Sequence, residues 1–145
     1  MTWHWFFAIL FSCRNENKRN ETEKPTTTEP HKASAIEEIT QQIQNNPKNF
    51  ELYFRRAQAC VGAKKFEQAL NDMNYLLARD STKPEYYLTL ADICFATLDI
   101  PKAEQSFKKA ISLDEENIEA HLKLAELYYY LKKYDDAIAS ANKAL

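Results

Sequence analysis

Three thiols and three imidazoles are the groups of this chain best suited to act as nucleophile, base or soft metal ligand: Cys13, Cys60 and Cys94, with His4, His31 and His121. Zinc or a redox pair would call for closely spaced cysteines such as C-x-x-C, and no two cysteines here are near neighbours. Adjacent carboxylates occur at Glu37 and Glu38, Glu115 and Glu116, and Asp135 and Asp136. They are expected at helix starts or in turns, where negative charge stabilises the helix dipole, so they need no acid–base role. No nucleophile, base and metal ligand fall into one motif, and the sequence points away from an enzyme and from a cofactor.

The elements that carry these groups must be helical. A single glycine, Gly62, stands among 145 residues, which excludes phosphate-cradling Gly-rich loops and disfavours glycine-dependent hairpin turns. A formal net charge of -2 supplies no basic stripe to neutralise phosphates, so nucleic acid is excluded as a partner. Composition divides the chain into an apolar head (1–12), a polar stretch opened by Cys13 (13–33) and an amphipathic remainder (34–145). The polar stretch has no large apolar residue to repay the entropy of folding. It is expected to be a disordered tether with a coil reach of roughly 25 Å.

From Ser34 onward apolar residues recur at helical spacing, and segments 50–83, 84–117 and 118–145 align at a period of 34 residues, the last of them incomplete. In that register the fourth column holds Tyr53, Tyr87 and His121. The eighth holds Ala57, Ala91 and Ala125, the seventeenth Phe66, Ile100 and Tyr134, and the twentieth Ala69, Ala103 and Ala137. Small residues stand where helices must approach closely and large ones where they fill gaps. His121 is therefore a packing residue in an aromatic column. Cys60 and Cys94 share the eleventh column with Tyr128, so each is expected to be a buried, reduced side chain. Equivalent positions of neighbouring repeats lie beyond the roughly 7 Å limit for a disulfide.

These columns resemble the tetratricopeptide repeat, a helix–turn–helix unit of 34 residues. The resemblance implies an all-α solenoid of about three repeats. Arg56 departs from it locally, since the seventh column otherwise holds Leu90 and Leu124, and so does Leu76, where Ala110 and Ala144 stand in the twenty-seventh. Residues 34–46 fit the same register as an N-terminal capping helix. Ser34 and Glu37 would form its capping box, Ile39 and Ile43 its buried face, and Pro47 its end. At the other end Leu145 falls inside a second helix with no polar helix after it. That implies truncation, or end-to-end self-association through an uncapped apolar face.

The resemblance also implies a binding face, because the first helix of each repeat lines the concave side. The matching positions are Glu51, Phe54, Gln58, Val61 and Gly62 in the first repeat, then Glu85, Leu88, Asp92, Phe95 and Ala96 in the second. Glu119, Leu122, Glu126, Tyr129 and Tyr130 complete the set. An apolar floor with acidic sides suits a peptide or helix carrying Lys or Arg. Co-chaperones of this family grip a chaperone's terminal carboxylate with Lys and Asn. The corresponding positions here are Phe54, Gln58, Thr89, Glu119 and Lys123, of which Lys123 alone has that character.

The head contains seven consecutive apolar residues, 5–11, too few for the roughly 20 that span a bilayer as a helix. "LFSC", Leu10 to Cys13, resembles the lipobox of bacterial lipoproteins, although no Lys or Arg precedes the apolar run. That resemblance implies cleavage before Cys13, acylation of its thiol and new amino group, and a stable membrane anchor. With Arg14 rather than an acidic residue next, it implies the outer membrane of a bacterial envelope. The expectation is a tethered, protein-binding adaptor. Its rivals are a cytoplasmic adaptor without lipid and an accessory domain of a larger enzyme.

Overall fold

The computed structural model describes residues 30–145. Cys13, the apolar head and the polar stretch up to residue 29 lie outside the described residues. Among the described residues the fold is all-helical: α1 (Pro30–Asn45), α2 (Phe50–Gly62), α3 (Phe66–Leu77), α4 (Pro84–Ala96), α5 (Ile100–Leu113), α6 (Ile118–Tyr130) and α7 (Tyr134–Asn142).

The 34-residue period is realised in space. First helices begin at Phe50, Pro84 and Ile118, and each packs against the second helix that follows it. Ala57, Ala91, Ala69 and Ala103 are completely buried, as close helix approach in the eighth and twentieth columns requires. Phe107, Met73, Leu76 and Ile93 fill the space between helices. Met73 and Leu76 form one cluster with Ile36 of α1 and Ile93 of α4, while Phe107 lies with Leu124 and Leu127 in the next. Helix α4, held between neighbours on both sides, buries Tyr86, Leu88, Leu90, Ala91, Ile93 and Cys94.

Helix α1 starts earlier than the sequence suggests, at Pro30 instead of Ser34. Ser34 is therefore helical backbone, not the start of a capping box, and Glu37 with Glu38 falls in the helix interior. The last residues of the expected tether, 30–33, belong to the helix too. Proline suits the first helical turn, and once Ile36, Ile39 and Ile43 have docked, each added turn gains hydrogen bonds without a new nucleus. Helix α3 stops at Leu77, short of Asp80, whose carboxylate instead accepts from the amide and hydroxyl of Thr82 in a side-chain turn.

Each first helix ends in the same backbone motif, and none uses glycine for it. Lys64, Leu98 and Lys132, all in the fifteenth column, have φ of 58°, 63° and 59°. Amides of Lys65, Asp99 and Lys133 reach back to the carbonyls of Cys60, Cys94 and Tyr128 at 2.8, 2.8 and 2.9 Å. The amides of Lys64, Leu98 and Lys132 bond to Val61, Phe95 and Tyr129. This is the Schellman arrangement, which satisfies carbonyls that the helix end would otherwise orphan.

Arg56 is explained by its surroundings. Its guanidinium donates to both carboxylate oxygens of Asp72 in α3 and to the hydroxyl of Thr40 in α1, at 3.2 Å for the latter. One side chain thus ties three helices together. Asp72 occupies the twenty-third column, where the other repeats have Ser106 and Ser140.

Candidate functional site

Helices α2, α4 and α6 share one side of the stack. Between them opens a cavity of about 300 Å³, lined by Phe54, Gln58 and Val61 of α2, Glu85, Leu88, Thr89 and Asp92 of α4, and Glu119 of α6. Phe54 packs on Tyr86 with ring centroids 5.0 Å apart. The floor is therefore fixed by the core: Leu88, which forms part of it, also belongs to the central hydrophobic cluster. Glu85, Gln58 and Glu119 are exposed at the rim.

Of the fifteen concave positions expected from the sequence, Phe54, Gln58, Val61, Glu85, Leu88, Asp92 and Glu119 come together in this cavity. Phe95, Glu126, Tyr129 and Tyr130 line a separate concavity of about 410 Å³ with Lys132 and Tyr134. Glu51 and Leu122 are exposed and line neither of the two. Gly62 and Ala96, at the thirteenth column, are exposed at the ends of their helices.

Asp92 is not a free anion. The Lys123 ammonium donates to both its carboxylate oxygens at 2.9 Å, bridging α4 and α6. Burial pushes the Asp92 carboxyl up, Lys123 pulls it down, and Glu119 with Glu126 adds to the upward side, so it stays above the ordinary carboxylate value. Sequence reasoning missed this pair because it joins different columns of adjacent repeats, the ninth of one and the sixth of the next.

The other reactive side chains are structural. Cys60 and Cys94 are buried free thiols, 0% and 3% exposed, and burial pushes both up from the ordinary thiol value. His121 is buried, with Nε2 3.0 Å from the carbonyl of Glu115. Among the described residues no group of three or more His, Cys, Asp or Glu is placed to hold a metal ion. No helix among them is long and apolar enough to cross a membrane.

Two family models described as tetratricopeptide repeat match the chain, one over residues 54–118 and the other over 99–145. The chain carries tetratricopeptide repeats. Solved structures share the arrangement. The chain superposes on MamA with a TM-score of 0.69 at 21% identity, covering 78% of this chain and 66% of that one. MamA 41-end from Desulfovibrio magneticus RS-1 gives 0.73 at 18% identity, with 79% and 64% covered. TTC0263, a thermophilic TPR protein of Thermus thermophilus, gives 0.71 at 21% identity, with 79% and 64% covered. At these identities the likeness concerns the fold. Among curated proteins, "DnaJ homolog subfamily C member 7 homolog" of Dictyostelium discoideum is 26% identical over 125 residues. That match covers 78% of this chain and 23% of the relative, so the chain spans about a quarter of that protein's length.

In the tetratricopeptide register the structure also bears on carboxylate capture. Lys123, the one side chain of the expected basic character, is already committed to Asp92, and Glu119 stands at the rim of the same cavity. A carboxylate entering there would meet acid before it met a base.

Proposed function

We propose that this chain is a non-enzymatic scaffold whose tetratricopeptide repeats hold a basic, apolar peptide or helix on the face formed by α2, α4 and α6. Repeats of this kind bind protein partners generally. The observation that carries the finer reading is the cavity itself: Phe54, Val61 and Leu88 give it an apolar floor, and Glu85 and Glu119 an acidic rim that Lys123 offsets at Asp92 alone. Apolar side chains of a ligand would fill the floor, and its lysines would meet the rim.

The test is a calorimetric titration with a soluble peptide of leucine and lysine. Glu85→Lys with Glu119→Lys should weaken binding roughly tenfold or more, by placing like charges face to face. Unchanged affinity would mean that these carboxylates are only solvated surface. Asp92 is unsuited to this test, because replacing it also strands Lys123.

We further propose that the scaffold is held at a bacterial envelope membrane, at the outer membrane, by acyl chains on Cys13. Support comes from "LFSC" at the end of the apolar run and from the polar stretch between it and the first helix. Mass spectrometry of protein from native membranes would find a chain beginning at an acylated Cys13. An intact Met1 or an unmodified Cys13 would leave a soluble adaptor instead.

A further inference from the structure

The cavity between α2, α4 and α6 is lined by Glu85, Asp92 and Glu119, and no Lys or Arg lines it. Lys123 answers Asp92, which leaves Glu85 and Glu119 exposed at the rim. The chain carries a cationic stretch of its own ahead of α1. In residues 14–20 Arg14, Lys18 and Arg19 outnumber Glu16, whereas in residues 21–29 Glu21, Glu23 and Glu29 outnumber Lys24.

The packing of α1 fixes where that stretch joins the fold. Ile39 and Ile43, late in α1, cluster with Leu52 near the start of α2, while Ile36 clusters with Ala57 and Cys60 further along it. The two helices are therefore antiparallel, and the first turn of α1 lies beside the C-terminal end of α2. That end carries Val61 of the cavity and is followed by Lys64 and Lys65, both exposed. Lys65 shares a surface concavity with Ile36 and Glu37 of α1. The acidic part of the stretch, nearest Pro30, thus meets a basic turn first, and the basic part beyond it comes to the acidic rim. Neighbouring helices pack about 8–10 Å apart, and the residues from Arg14 to Pro30 span roughly 22 Å as a coil, so the rim is within reach.

We propose that residues 14–29 of this chain lie across the face in cis, with Glu21 and Glu23 toward Lys64 and Lys65, and with Arg14, Lys18 and Arg19 on Glu85 and Glu119. Single surface ion pairs are weak, but attachment at Pro30 keeps the segment at an effective concentration in the millimolar range, where weak pairing suffices. A basic ligand has to displace the segment to reach the rim. This competition rests on the ligand reading given above, whereas the seating of the segment does not.

The probe is a nitroxide on Cys13 of the full, isotope-labelled chain made without export, since Cys60 and Cys94 are buried and escape the label. With no peptide present, amide signals of Gln58, Glu85, Thr89 and Glu119 should broaden more than those of Lys108 and Lys109 on α5. Arg14→Glu, Lys18→Glu and Arg19→Glu together should abolish that difference and tighten binding of the leucine–lysine peptide roughly threefold or more. Four results would overturn the proposal. They are equal broadening on both faces, broadening that survives the charge reversal, broadening of an unlabelled second chain in a mixture, and equal peptide affinity of the two chains.

Discussion

Arg56 and Asp72 meet through two hydrogen bonds, at 2.8 and 2.6 Å, where the other repeats place a leucine and a serine. The side chains are 14% and 5% exposed, so water does little to support either charge without the other. Removing one partner strands a buried ion. Replacing both with the leucine and serine that stand in those columns elsewhere gives an uncharged joint of the kind the other two repeats have.

Asp72→Ala should accordingly lower stability by about 3–5 kcal/mol in urea titrations, by leaving the guanidinium uncompensated. Arg56→Leu with Asp72→Ser should recover most or all of that loss. The hydroxyl of Thr40 keeps its own bond to the carbonyl of Ile36 at 2.7 Å, so the double change orphans nothing there. A double variant as unstable as the single one would mean that the pair is needed for the α1 joint itself.

Lys64, Leu98 and Lys132 carry side chains in a backbone region that suits glycine. A residue with a Cβ there costs about 1 kcal/mol or more, so each single change to Gly should raise stability by about 0.5–1 kcal/mol. Thermal melts read the gain. No gain at Leu98 would show that its side chain contributes packing that offsets the strain.

The two repeat thiols should be inert in the folded chain. With Cys13→Ser to remove the third thiol, a disulfide reagent should label neither Cys60 nor Cys94 until denaturant is added. Their raised values fix the sign of a pH effect. A folded thiol that holds its proton above the unfolded value contributes stability that is complete below about pH 8.5 and fades as pH rises through the raised range. Cys60→Ala with Cys94→Ala should flatten that alkaline decline.

The columns show which features were legible in the sequence. Alanines at 57, 69, 91 and 103 announced close helix approach, and all are fully buried. First helices at Phe50, Pro84 and Ile118 coincide with the repeat starts, because each turn before them breaks the apolar spacing. What escaped were relations between columns. Asp72 beneath Arg56 and Lys123 on Asp92 each join positions that a column-by-column reading treats separately. A signal for the first was present: the one repeat with Arg in the seventh column is the one with Asp in the twenty-third. The start of α1 was misplaced because the polar run before Ser34 hid a helix that draws its stability from Ile36, Ile39 and Ile43 downstream.

The central claim is that the face of α2, α4 and α6 around the cavity is the working surface of the scaffold. It is tested most directly by amide chemical shifts of the isotope-labelled chain during titration with the leucine–lysine peptide. Perturbations should centre on Phe54, Gln58, Val61, Glu85, Leu88 and Thr89, with the outward residues Lys102, Lys108 and Lys109 of α5 unmoved. Shifts centred on α5, or none at saturating peptide, would contradict the account.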